Sequence, residues 1–144
     1  MKRLLTLTIA IAALVSFSWN EARACTCDLP LSNLSLKQQV LRAQKDSRAV
    51  FVGKVVAVVQ KPEAYEVSVK FLVEKVWKGK VSRHVNIFTG RGGGDCGYHF
   101  EAGESYLVYA YGSTEGLSTN ICQRTAPRAG SADMKYLGKG KRPS

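Results

Sequence analysis

Ala49-Val50-Phe51-Val52-Gly53-Lys54-Val55-Val56-Ala57-Val58-Val59 decides the fold. β-Branched side chains lose rotamer freedom in a helix and pack well on a pleated surface, so this run reads as one long strand. Gly53 inside it predicts a bulge or the tight bend of a barrel wall. Lys61-Pro62-Glu63-Ala64 turns the chain. Tyr65, Val67, Val69, Phe71 and Val73 then alternate with Glu66, Ser68, Lys70, Leu72 and Glu74, a strand with one buried face that Val76-Trp77-Lys78-Gly79 closes. Val85, Ile87 and Thr89 give a third strand. Tyr98, Phe100 and, after a Gly103-Glu104 turn, Ser105 to Tyr111 give a fourth, and Gly116 to Cys122 a fifth. Five antiparallel strands with a glycine bend in the first predict an all-β-dominated fold, a five-stranded Greek-key barrel of the OB type.

Before the strands, Ser35-x-x-Gln38 reads as a capping box. It opens a helix to about Lys45, with Leu36, Val40, Leu41 and Ala43 as its apolar stripe. Beyond the strands, Thr125 to Gly130 reads as a loop and Ser131 to Leu137 as a short helix stopped by Gly138. Residues 139–144 read as a loose basic tail. The loop Arg91-Gly92-Gly93-Gly94-Asp95-Cys96-Gly97 has no nucleotide fingerprint with a following helix.

The chain has 144 residues. Met1-Lys2-Arg3, the apolar Leu4 to Phe17 and Ala22-Arg23-Ala24 read as an export signal cut after Ala24, which makes Cys25 the first residue of the mature protein. The expected organisation is a signal peptide over 1–24, one domain over 25–138 and the tail over 139–144. The apolar run is shorter than the roughly 20 residues of a membrane span. A lipid anchor on Cys25 is disfavoured, because Ala22 and Arg23 stand where a lipidation signal wants Leu and a small residue. The expected location is secreted, extracellular or periplasmic.

Of the formal charge of +10, residues 1–24 carry Lys2, Arg3, Arg23 and Glu21, which leaves +8 on the remainder. Export argues against nucleic acid as partner; anionic surface polymers remain. No catalytic constellation is legible. The histidines, His84 and His99, sit among β residues, no G-x-S-x-G or H-E-x-x-H occurs, and no two carboxylates have reason to converge. The chain reads as a non-enzyme without a cofactor.

Cys25, Cys27, Cys96 and Cys122 are an even set in a small exported domain and read as two disulfides. A bridge from Cys25 to Cys27 across one residue would be strained, since their side chains point apart in an extended segment. Two pairings stay open: 25–96 with 27–122, or 25–122 with 27–96. A zinc site of its own would want C-x-x-C spacing and nearby His, which are absent.

The mature start Cys25-Thr26-Cys27 resembles that of the tissue inhibitors of metalloproteinases, whose N-terminal domain is a netrin-like module on an OB barrel. The resemblance continues in order through residues 49–55, Val76-Trp77-Lys78-Gly79, Cys96-Gly97-Tyr98, Gly103-Glu104-x-Tyr106-Leu107-Val108 and Leu117-x-Thr119 to Cys122. It implies the pairing Cys25–Cys96 and Cys27–Cys122. The family's third bridge in this domain has no counterpart here, nor has its cysteine-rich C-terminal domain.

The resemblance implies a secreted inhibitor of zinc metalloproteases. The free α-amine and carbonyl of Cys25 would chelate the target's catalytic zinc. Thr26 would enter the primed-side pocket, Thr26, Cys27 and Asp28 would form the wedge, and Gly94, Asp95 and Gly97 a second contact edge. An open zinc position accepts such a chelate. An α-amine titrates near about 7.7–8.0, so deprotonating it at neutral pH costs about 1 kcal/mol or less. The alternative is an exported netrin-like binding module for an envelope or extracellular partner, without protease inhibition. A thiol–disulfide enzyme using Cys25 and Cys27 would need an exposed free thiol.

Overall fold

The computed structural model describes residues 25–27, 33–60, 62–63, 65–113 and 116–144; the signal segment 1–24, the lipidation alternative's residues Ala22 and Arg23, and Asp28 lie outside them. A helix, α1 (Leu36–Asp46), precedes six strands: β1 (Ala49–Gln60), β2 (Glu66–Lys78), β3 (His84–Gly90), β4 (Ser105–Gly112), β5 (Leu117–Ser118) and β6 (Ala126–Pro127). The order β1-β2-β3-β5-β4 closes on itself through β1–β4 pairing, a five-stranded barrel of the OB type, and β6 pairs with Tyr106 and Leu107 on the edge of β4 that β5 also uses. The sequence predicts antiparallel strands throughout, but the barrel is mixed: β5 runs parallel to β3 through Ile87↔Leu117 and Phe88↔Ser118. β5 follows β4 by only a few residues and pairs back antiparallel to it, so it enters the gap between β3 and β4 in the direction of β3, which completes the closure.

Burial explains the first half of the valine-rich stretch, while Val56, Val58 and Val59 are exposed. Ala49 to Gly53 are buried on both faces, whereas β2 alternates. Ala49, Phe51 and Val55 point into the barrel with Val69, Phe71, Ile87, Phe100 and Val108. Val50 points outward and is covered, with Leu107 and Tyr109, by Val40 of α1 and by Leu137. A strand between two apolar layers has no polar face to alternate with. Gly53 sits at a register shift against β2, where an added Cβ would lie 2.9 Å from the Leu72 carbonyl oxygen. Wall and neighbour touch there.

The capping box forms: Ser35 Oγ accepts from the Gln38 N–H, and Gln38 Oε1 accepts from the Ser35 N–H at 2.9 Å. Of the expected apolar stripe only Val40 is buried and Ala43 packs beside it, while Leu36 and Leu41 face solvent. α1 covers only the outer face of β1 and β4, a strip narrower than the stripe. Tyr98 and Phe100 stand before β4 rather than in it. They pack as an aromatic cluster with Phe71 and Tyr106. The expected loop Thr125 to Gly130 contains β6, and the short C-terminal helix is a 3-10 turn over Ala132–Lys135.

Residues 139–144 are not loose. Lys141 exchanges both backbone hydrogen bonds with Val76, at 2.8 and 2.9 Å, and the Ser144 N–H and Oγ donate to the Val81 carbonyl. The Trp77 indole N–H donates to the Gly138 carbonyl at 3.0 Å. Backbone pairing of this kind does not depend on side-chain polarity, so a charged, glycine-rich sequence carries no sign of it.

Candidate functional site

The Cys25-Thr26-Cys27 segment is clamped between two loops of the barrel. Cys25 is bonded to Cys96 and Cys27 to Cys122, the pairing implied by the resemblance, and among the described residues no cysteine is free. Cys25 and Cys27 are half-buried and Thr26 between them is exposed. Two anchors one residue apart fix the direction in which Thr26 projects.

The first loop follows β3. Asp95 organises it: its carboxylate accepts the N–H groups of Arg91 at 2.7 Å, Gly92 at 2.9 Å and Gly97 at 3.0 Å. Those donors, Gly97 first and Arg91 next, hold the Asp95 carboxyl below the usual carboxylate range. Cys96 adopts a left-handed backbone, φ 61°. That conformation turns the chain sharply before Gly97, where a Cβ would lie 2.2 Å from the Gly90 carbonyl oxygen. Gly94 and Asp95 are exposed beside the clamp. Gly97 is buried and packed, so of the expected second edge only Gly94 and Asp95 are exposed. Close approach to the end of β3 is the reason for glycine there.

The second loop follows β5. The Ile121 N–H donates to the Cys96 carbonyl at 3.0 Å, tying the two cysteine loops to one another. Beneath it, buried Thr119 and Thr125 share a hydroxyl hydrogen bond of 2.8 Å, and the Tyr109 N–H donates to Thr125 Oγ1. Further in, Arg124 meets Asp133 through two nitrogens at 2.7 Å, and Asp133 also accepts from the Tyr109 hydroxyl. Burial raises the Tyr109 hydroxyl well above its ordinary value, and it stays protonated as a donor. Sequence reasoning missed Thr119, Thr125, Arg124 and Asp133. They fall within residues 119–133 but follow no periodic pattern, and their side chains meet only where the fold packs them around Tyr109.

Ile121 is half exposed beside Cys122. A cleft of about 950 Å³ runs from Cys27 and Cys122 past Ile121 to Gln39 and Arg42 of α1. Its Arg124 guanidinium is already engaged by Asp133 and by Gln39. His84 and His99 are exposed and apart from the clamp. Among the described residues the gathering of potential metal ligands is Cys25, Cys96 and Cys122, whose sulfurs are spent in disulfides. The arrangement presents a rigid, exposed backbone edge with a hydroxyl side chain at its tip and an apolar neighbour. Comparison with protein-family models and with curated proteins returns no match.

Proposed function

We propose that the chain is a secreted inhibitor of zinc metalloproteases that acts through residues 25–27. The observation that carries this reading is the double clamp: Cys25 and Cys27 are each bonded to a different loop, with exposed Thr26 between them. Removal of residues 1–24 turns the Cys25 nitrogen from an amide into an amine. Together with the carbonyl of the same residue it then closes a five-membered chelate on the target's zinc, in the position that water fills in the free protease. Thr26 enters the primed-side pocket, and Gly94 and Asp95 meet the protease beside it. The clamp holds this shape before binding, which lowers the entropic cost of association.

The test compares two secreted forms against a panel of zinc proteases. Protein whose first residue is Cys25 inhibits. Protein with one alanine before Cys25 keeps its fold and loses inhibition by on the order of 100-fold or more, since an amide nitrogen cannot chelate. Equal inhibition by both forms rejects the chelation mechanism, and no inhibition by the Cys25 form rejects the function in favour of a binding module.

A further inference from the structure

Away from the clamp, two segments come together as one basic face. Residues 75–84 contribute Lys75, Lys78, Lys80 and Arg83, and residues 138–144 contribute Lys139, Lys141 and Arg142, with no Asp or Glu in either. The backbone pairing of Lys141 with Val76 and of Ser144 with Val81 sets these segments side by side. All but Lys78 are exposed, and none of the exposed six is in an ion pair among the described residues. Lys78 donates to the Lys45 carbonyl at the end of α1. The carboxylate next along the chain to each segment is engaged, Glu74 by Arg128 and Asp133 by Arg124.

Six cations outside any ion pair among the described residues repel one another, and the backbone pairing holds their segments together despite that repulsion. Held side by side on paired backbone, the two segments suit a chain of repeated negative charges. The face offers charge without apolar anchors: none of the large exposed hydrophobic residues falls in either segment, whereas a membrane-surface site needs them. It also offers no free aromatic platform for stacked bases. Trp77 is half-buried, its N–H is spent on Gly138, and Lys75 Nζ lies 5.9 Å from its ring centroid. Lysine predominates over arginine, which fits point-charge contacts to a flexible polymer rather than bidentate recognition.

We propose that this face binds a polysaccharide bearing sulfate or phosphate esters. His84 opens β3 and Gly90 closes it just before the Cys96 loop, so about 20 Å of strand or more separates the face from the clamp at roughly 3.3 Å per residue. The two surfaces can be occupied together.

Heparin serves as the probe, with the full secreted protein and three triple variants. Lys139→Gln/Lys141→Gln/Arg142→Gln removes side chains while leaving the backbone pairs, and Lys75→Gln/Lys80→Gln/Arg83→Gln does the same from the other segment. Lys37→Gln/Lys54→Gln/Lys70→Gln lowers net charge equally at scattered exposed sites. Each patch variant is expected to lose about tenfold or more in heparin affinity at physiological salt with a shallower salt dependence, and the scattered variant much less. Equal loss in all three would reduce the effect to net charge and overturn the site. Tighter retention on phosphatidylglycerol vesicles or on single-stranded DNA than on heparin would overturn the partner class.

Discussion

Asp95 shows how one side chain can shape a loop that has little else to hold it. Three N–H groups converge on its carboxylate, and the disulfide of Cys96 begins one residue later. Its folded pKa is depressed, so its stabilising contribution is present above the unfolded carboxylate value and is lost as pH falls through the folded value. The protection of the Arg91, Gly92 and Gly97 amides, taken relative to their intrinsic exchange rate, is therefore expected to fall as pH drops below about 4, where free aspartate takes up its proton. Asp95→Ala should speed the same amides about tenfold at neutral pH, where acid has no effect on the parent. Unchanged exchange in that variant would assign the loop's shape to the disulfide alone. The sequence offered the glycines and the acid of this loop but not their roles. Gly97 reads equally as a contact residue and as a packing residue, and only its closeness to Gly90 decides. Thr119 and Thr125 carry no local mark at all, because a buried hydroxyl pair is visible only when both partners are in place.

At the scale of elements, the strands were legible where burial is periodic. β2 alternates and β1 is apolar on both faces, patterns that survive in the bare sequence because they repeat over ten or more residues. Gly53 marks the point where β1 bends against β2, and its lack of a side chain is structural. Gly53→Val should destabilise the barrel by about 1–3 kcal/mol or more, through contact with the Leu72 carbonyl and Val73. Urea unfolding of the variant measures this, and an unchanged midpoint would mean that β2 can move away at no cost. Shorter elements were not legible. β5 and β6 have two residues each, too few for any period, and their places are set by the gap and edge that longer strands leave. The outward Leu36 and Leu41 misled for the opposite reason: the helix pattern is clear, but the face it meets is narrow.

The whole molecule stands on two independent fastenings, the backbone ladders of the barrel and the disulfides at one end of it. The bridges span 71 and 95 residues. In the loop-entropy account each contributes on the order of 4–5 kcal/mol. Cys27→Ala/Cys122→Ala should lower unfolding stability by about 3–5 kcal/mol, read by urea titration. It should leave the strand signal in far-ultraviolet circular dichroism at 25 °C, since no ladder includes residues 25–27. Loss of that signal would mean that the barrel cannot close without its clamp. Barrel closure was legible from five strands and a bend, whereas the docking of residues 139–144 was not, because it is written in main-chain atoms that every residue shares.

The Cys25 and Cys122 sulfurs, though not bonded to one another, lie 4.0 Å apart. During synthesis Cys96 emerges before Cys122, and either N-terminal cysteine can reach it first. A chain that joins Cys27 to Cys96 is misconnected but not lost. The later thiol arrives beside the wrong bridge, and thiolate attack passes the linkage along until Cys27 holds Cys122. The crowding of four sulfurs at one end of the barrel thus doubles as a proofreading arrangement for oxidative folding.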